Sequence, residues 1–126
     1  MPLVALGCPQ PRETPSAPQD VLGRTNPLPP LPVHLKAGER LFNGRGNQHN
    51  CADCHGKAGD GKGPIANLFQ TKPRDFTCTT QMETLSDGQL FWAIRTGING
   101  TVMPASPRVS DEQIWQLVLY IRQFAQ

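Results

Sequence analysis

Residues 51–55 read Cys51-Ala52-Asp53-Cys54-His55, and the rest of the chain is read outward from them. Two thiols three positions apart share one face of a helical turn. The histidine that follows directly is carried on by the same turn. The chain has only four cysteines and three histidines in 126 residues, so C-x-x-C-H is a rare coincidence here. Two readings of these groups compete with a third. A redox dithiol of the C-x-x-C type usually opens a helix after a β-strand, and no strand-like run precedes Cys51. Gly44, Gly46, Asn47 and Asn50 make residues 44–50 a loop instead. A zinc site built from Cys51, Cys54, Cys78 and a histidine lacks a second C-x-x-C or H-x₃-H pair.

The third reading is the c-type haem attachment signature. Thiols one helical turn apart suit thioethers to the two haem vinyl groups, and His55 is then carried beneath the porphyrin with its imidazole toward iron. The expected cofactor is therefore one covalently attached haem c, with Cys51 and Cys54 as attachment points and His55 as a metal ligand. Covalent attachment also holds the group in a domain with little core of its own. The sixth iron position has several candidates: Met82, Met103, His34, His49 or nothing from the protein. Met103 is the first choice, because Gly97-Ile98-Asn99-Gly100-Thr101-Val102-Met103-Pro104 reads as a loop between two helices. A loop brings a thioether across a haem face without disturbing packed side chains.

Nine of the 13 prolines fall within residues 1–32. Proline fixes φ and lacks a donor, so this part is expected as an extended, polyproline-like arm or tether. Residues 33–126 form the domain proper, a size that often needs a staple or cofactor. The arm is expected to act as an attachment device that makes no part of the domain's fold. Ala5-Leu6-Gly7-Cys8 partly resembles a lipobox, making Cys8 a candidate lipidation site. The apolar run from Leu3 to Leu6 is short for a signal segment. Cys8 and Cys78 are alternatively a disulfide pair, or Cys78 a buried thiol.

Three helices are legible. The first covers about residues 33–43, with Leu35, Leu41 and Phe42 on its apolar side. Gly38 within it suggests close approach by another element. The second spans Asp87 to Thr96, capped by Ser86 with Gln89 completing a capping box. Leu90, Phe91 and Ile94 point inward, and Gly97 stops the helix. The third spans Asp111 to Ala125, with Ser110 and Gln113 as its box and Ile114, Leu117, Val118 and Ile121 as its stripe.

In this order the pieces resemble the class I c-type cytochromes: helix with Gly38 and Phe42, Cys51-Ala52-Asp53-Cys54-His55, Gly61-Lys62-Gly63-Pro64, middle helix, Met103-Pro104, long last helix. The resemblance covers residues 33–126. It implies an all-α, cytochrome c-like small helical domain wrapped around one haem. It implies that the first and last helices cross closely, pairing Phe42 with Trp115 or Tyr120. It further implies that the Pro64 carbonyl accepts the Nδ1 proton of His55. Lys72-Pro73-Arg74-Asp75-Phe76 is similar to a segment of some bacterial members, which makes Arg74 a candidate propionate contact and Arg95 a lesser one.

His55 and Met103 together would saturate the iron, and the implied function is one-electron transfer without catalysis. The alternative is a haem enzyme or gas-binding protein from which Met103 dissociates. Haem attachment takes place outside the cytoplasm, so the bacterial periplasm or the outer face of the cytoplasmic membrane is expected. Expected partners are redox proteins, including subunits of a membrane respiratory complex, with anchoring through the N-terminus. In outline the chain looks like small lipoprotein cytochrome subunits of such complexes, alternative complex III among them. A formal charge of +2, from 12 Lys+Arg and 10 Asp+Glu, is far from a nucleic-acid binder's excess. Mean hydropathy of −0.41 and the lack of any 18-residue apolar run exclude a spanning helix within this chain. Residues 36–74 nonetheless carry seven cations and three acids, suiting either a solvated face or a docking surface.

Overall fold

The computed structural model describes residues 8, 14–47 and 49–125. Among these the regular structure is entirely helical: α1 Gln19–Leu22, α2 Pro32–Phe42, α3 Ala52–His55, α4 Thr79–Met82, α5 Asp87–Thr96 and α6 Asp111–Gln123. One turn of 3₁₀ helix covers Ala66–Leu68. The three helices read from sequence are α2, α5 and α6. Helix α2 starts one residue early because Pro32 occupies the first helical position, where a missing N–H costs nothing.

Helices α2 and α6 cross at Gly38. A Cβ there would run into the Gln116 carbonyl and meet the Tyr120 Cβ at 2.8 Å. This crossing seals the core: Phe42, Ile114, Leu117 and Val118 are fully buried. Phe42 packs on Tyr120 at 5.4 Å and on Phe124 at 5.5 Å. Trp115 turns the other way, to Phe91 of α5 at 4.5 Å. Gln116 Nε2 donates to His34 Nδ1 (3.1 Å), a further tie across the crossing.

Ser110 and Gln113 form the expected reciprocal cap of α6. Ser86 likewise accepts from the Gln89 backbone N–H, but the expected second half of that box is replaced. The Gln89 amide instead accepts from Ala17 N at 2.8 Å and donates to the Pro15 carbonyl at 3.0 Å. Arg122 brackets α4 to α5, donating to the Met82 and Leu85 carbonyls and to Asp87. Arg95 does not stand free as a propionate candidate: it donates to the carbonyls of Ser106 and Val109 and pairs with Asp111.

The arm departs most from expectation. It does not stand apart from the domain. Ala17 is buried, and Val21 and Leu28 pack against the core. Gly88 N–H donates to the Arg24 carbonyl, and the Ser86 hydroxyl to that of Leu22. Asn26 Nδ2 reaches the Trp115 carbonyl at 2.9 Å, while Asp87 accepts from Asn26 N. Gly88 is required here, since a Cβ would strike the Val21 carbonyl. Buried backbone demands partners, and these side chains supply them. A disulfide joins Cys8 to Cys78 across a separation of 70 residues, Cα to Cα 5.4 Å. The Cys8 sulfur is thus committed to Cys78, which corrects the lipid-anchor expectation. Residues 3–7 of the lipobox-like stretch lie outside the described residues.

Candidate haem site

Cys51 already has helical dihedrals (φ −58°, ψ −33°) ahead of α3, so residues 51–55 form one continuous turn. Neither thiol is in a disulfide. A helix this short leaves its carbonyls open, and the following loop answers them one by one. Gly56 N–H donates to Ala52, Gly61 to His55, Gly63 to Cys54 and Ile65 to Asp53, at 2.8–3.0 Å. Gly56 has φ 81°, which lets the chain reverse at once. Gly63 lies so near the turn that a Cβ would overlap the Asp53 carbonyl. The glycines of Gly61-Lys62-Gly63-Pro64 therefore exist to let backbone wrap backbone.

The imidazole of His55 is held on two sides. Its Nδ1–H donates to the Arg74 carbonyl at 3.1 Å, and the Phe76 ring stacks on it at 4.4 Å with 20° between planes. With Nδ1 protonated, Nε2 keeps its lone pair for a metal. The resemblance implied Pro64 as the acceptor; the structure gives Arg74 that part. The reason is the return of residues 73–76 onto the wrap, where Phe76 N–H donates to Gly59 at 2.7 Å and the Pro73 carbonyl crowds Gly61. Phe76 itself went unrecognised, although it ends a segment already singled out. The Arg74 side chain is half-buried, its Nη1 3.5 Å from Gln81 Oε1.

The sixth-position candidates fall in different places. Met82 is 1% exposed and belongs to the core. Met103 is partly buried at the core's edge, in the loop that leaves α5 at Gly97 (φ 69°). His34 bonds Gln116, and His49 Nε2 donates to the Ala105 carbonyl at 2.9 Å.

The donor set fits one haem and neither rival. Cys78 is spent in a disulfide, and among the described residues no three His, Cys, Asp or Glu side chains gather to hold an ion. Burial pushes the Cys51 thiol up to about 11 and raises that of Cys54 as well. Reactive dithiols are shifted the opposite way.

Comparison with known proteins agrees. The family model described as cytochrome c matches residues 35–125. No curated protein sequence matches the chain. Among solved structures, a chain of the Kuenenia stuttgartiensis reducing HAO-like protein complex Kustc0457/Kustc0458 superposes with a TM-score of 0.68 at 29% identity. That match covers 83% of this chain and 49% of the other, so this chain spans about half its neighbour's length. The covered share exceeds residues 35–125, so the likeness extends into the arm. The KustC0563 c-type cytochrome superposes with a TM-score of 0.56 at 26% identity, covering 71% of this chain and 98% of that one.

Proposed function

The chain belongs to the cytochrome c family and carries one covalently attached haem c; from that premise we propose that it is a one-electron carrier whose iron would be held by His55 and Met103, serving as the monohaem subunit of a larger redox assembly. The haem supplies a one-electron Fe(II)/Fe(III) couple. Cys51 and Cys54 anchor it, and the Arg74 carbonyl and Phe76 ring keep His55 Nε2 aimed. The Arg74 guanidinium, now near Gln81, would be the group to meet a propionate.

The observation that carries the ligand assignment is the contrast between the two methionines. Met82 is packed in the core with its backbone carbonyl gripped by Arg122, while Met103 sits at the core's edge on a loop. With both residues bound, the iron would have no open position for chemistry. Complex membership is supported by the neighbour from the reducing HAO-like protein complex, whose likeness includes part of the arm. The site of action is the periplasm, where haem c proteins mature in an oxidising setting that also suits Cys8–Cys78. Partners are redox proteins of that compartment. No helix among the described residues is long and apolar enough to cross a membrane.

The test is spectroscopic. Ferric protein should show the near-infrared Met–Fe(III) charge-transfer band, lost in Met103→Ala and retained in Met82→Ala. A high-spin ferric spectrum with rapid cyanide binding in the unaltered protein would instead assign it to haem enzymes or gas binders.

A further inference from the structure

The loop that bears Met103 is tied almost wholly to itself and to α5. Thr101 N–H donates to Ile98, Met103 N–H to the Thr101 hydroxyl, and Ile98 N–H to the Met103 carbonyl. At its base Ser106 N–H donates to the Arg95 carbonyl, and Arg95 Nη1 to the Ser106 carbonyl. These bonds fix the loop's own shape and seat its base on α5, but none of them ties it to the turn that holds His55. Among the described residues, a side-chain bond from the loop before Cys51 reaches across to it: His49 Nε2–H donates to the Ala105 carbonyl at 2.9 Å.

His49 lies two residues before Cys51, and Ala105 two residues after Met103. Each end is stiff. His49 N–H donates to Asn47 Oδ1 at 3.3 Å, and Asn47 Nδ2 donates to the Leu41 carbonyl in α2 at 3.2 Å. Pro104 fixes its own φ and restricts Met103 to extended backbone, so a hold on Ala105 reaches Met103 with little slack. At Gly97 the loop's two ends press together; a Cβ there would meet the Met103 carbonyl at 2.7 Å and Ala105 N at 2.8 Å.

We propose that His49 is a positioning residue that clasps the Met103 loop to the haem-attachment turn and so sets how often Met103 leaves the iron. The proposal rests on the reading that Met103 is an iron ligand. A ligand that competes for iron reports the open fraction of the loop, because its apparent affinity scales with that fraction. Added imidazole is such a probe for the full-length ferric holoprotein.

His49→Ala should bind imidazole about five-fold more tightly, the worth of one net hydrogen bond, with the midpoint of global unfolding by far-UV circular dichroism little changed. His49→Gln, whose amide can donate to the same carbonyl, should stay within about two-fold of the unaltered protein. Met103→Ala should bind imidazole most tightly, and adding His49→Ala to it should change nothing further. Equal imidazole affinity in His49→Ala and the unaltered protein, with the charge-transfer band present, overturns the proposal alone. So does a five-fold effect that persists in the double variant, since His49 would then act without Met103. Absence of the band from the unaltered protein overturns the ligand assignment and the proposal together.

Discussion

In residues 51–65 the carbonyls of the attachment turn find backbone donors at most twelve positions away: Gly56 on Ala52, Gly61 on His55, Gly63 on Cys54 and Ile65 on Asp53. In residues 15–26 many of the partners are side chains 61–89 positions away, from Gln89, Ser86, Asp87 and, in return, Asn26 on Trp115. Both regions lie flat against the domain without a long regular element. The first is locally closed, so its geometry follows from glycines placed next to the motif. The second exists only because α5 and α6 have already assembled the surface it covers. Closing a short loop costs less entropy than recruiting distant groups, and the disulfide from Cys8 to Cys78 offsets part of that cost for the arm.

The largest effect should come from breaking the local region. Gly63→Ala places a methyl group where the Asp53 carbonyl stands and within 2.6 Å of the Ala52 oxygen. The wrap would have to lift, and three carbonyls would lose their donors. We expect a loss of about 3 kcal/mol or more and little accumulation of holoprotein, measured by haem stain and urea unfolding. A loss under about 1 kcal/mol would show the wrap to be dispensable.

Breaking the distant region should cost less and spare the haem. Replacing Cys8 and Cys78 together by serine should lower stability by about 2–4 kcal/mol through a freer unfolded chain, with the optical spectrum of the haem unchanged. If the Met–Fe(III) band disappears instead, the arm takes part in holding the distal loop and the contrast between regions fails. Smaller still, Asn26→Ala removes the bond to Trp115 and the one accepted from Leu28 N–H. About 1–2 kcal/mol is expected, together with faster hydrogen exchange confined to arm amides.

The smallest effect sharpens the chemistry of the attachment turn. In haem-free protein, burial favours the neutral thiol of Cys51 and pushes it up to about 11. Thiolate therefore gathers only as pH rises toward that value. Alkylation of Cys51 should still be accelerating above pH about 9, where an ordinary cysteine has begun to level off. A plateau near neutrality would revive the redox-dithiol reading.

How legible each part was follows the same division. Helices α5 and α6 begin where Ser86 and Ser110 cap them and Gly97 ends α5, because capping depends on neighbours three residues apart. The crossing at Gly38 was legible because only close packing rewards a glycine in mid-helix. Helices α1, α3 and α4 span four residues each, too few for any period to show. Gln89 looked like half of a capping box, and locally it is suited to be one; its amide went to Pro15 and Ala17, whose backbone carbonyl and N–H the arm lays against it. At the site, Cys51, Cys54 and His55 were plain from spacing. The Arg74 carbonyl and the Phe76 ring were not, since a carbonyl has no sequence signature and stacking depends on where residues 73–76 return.

By itself the sequence determined the chemistry: a C-x-x-C-H turn, glycines that let the next loop wrap it, three amphipathic helices, two of them capped by serine, and a methionine in a glycine-rich loop. Each of these is specified within a dozen residues, where covalent geometry and short-range sterics decide. Only the tertiary structure decided that the arm lies on α5 and α6, that Cys8 meets Cys78, that Arg74 steadies His55 and that His49 reaches Ala105. Those contacts join residues 19–89 positions apart. Side chains and carbonyls so distant become neighbours only after α2 and α6 have crossed and buried Phe42, Ile114, Leu117 and Val118 between them.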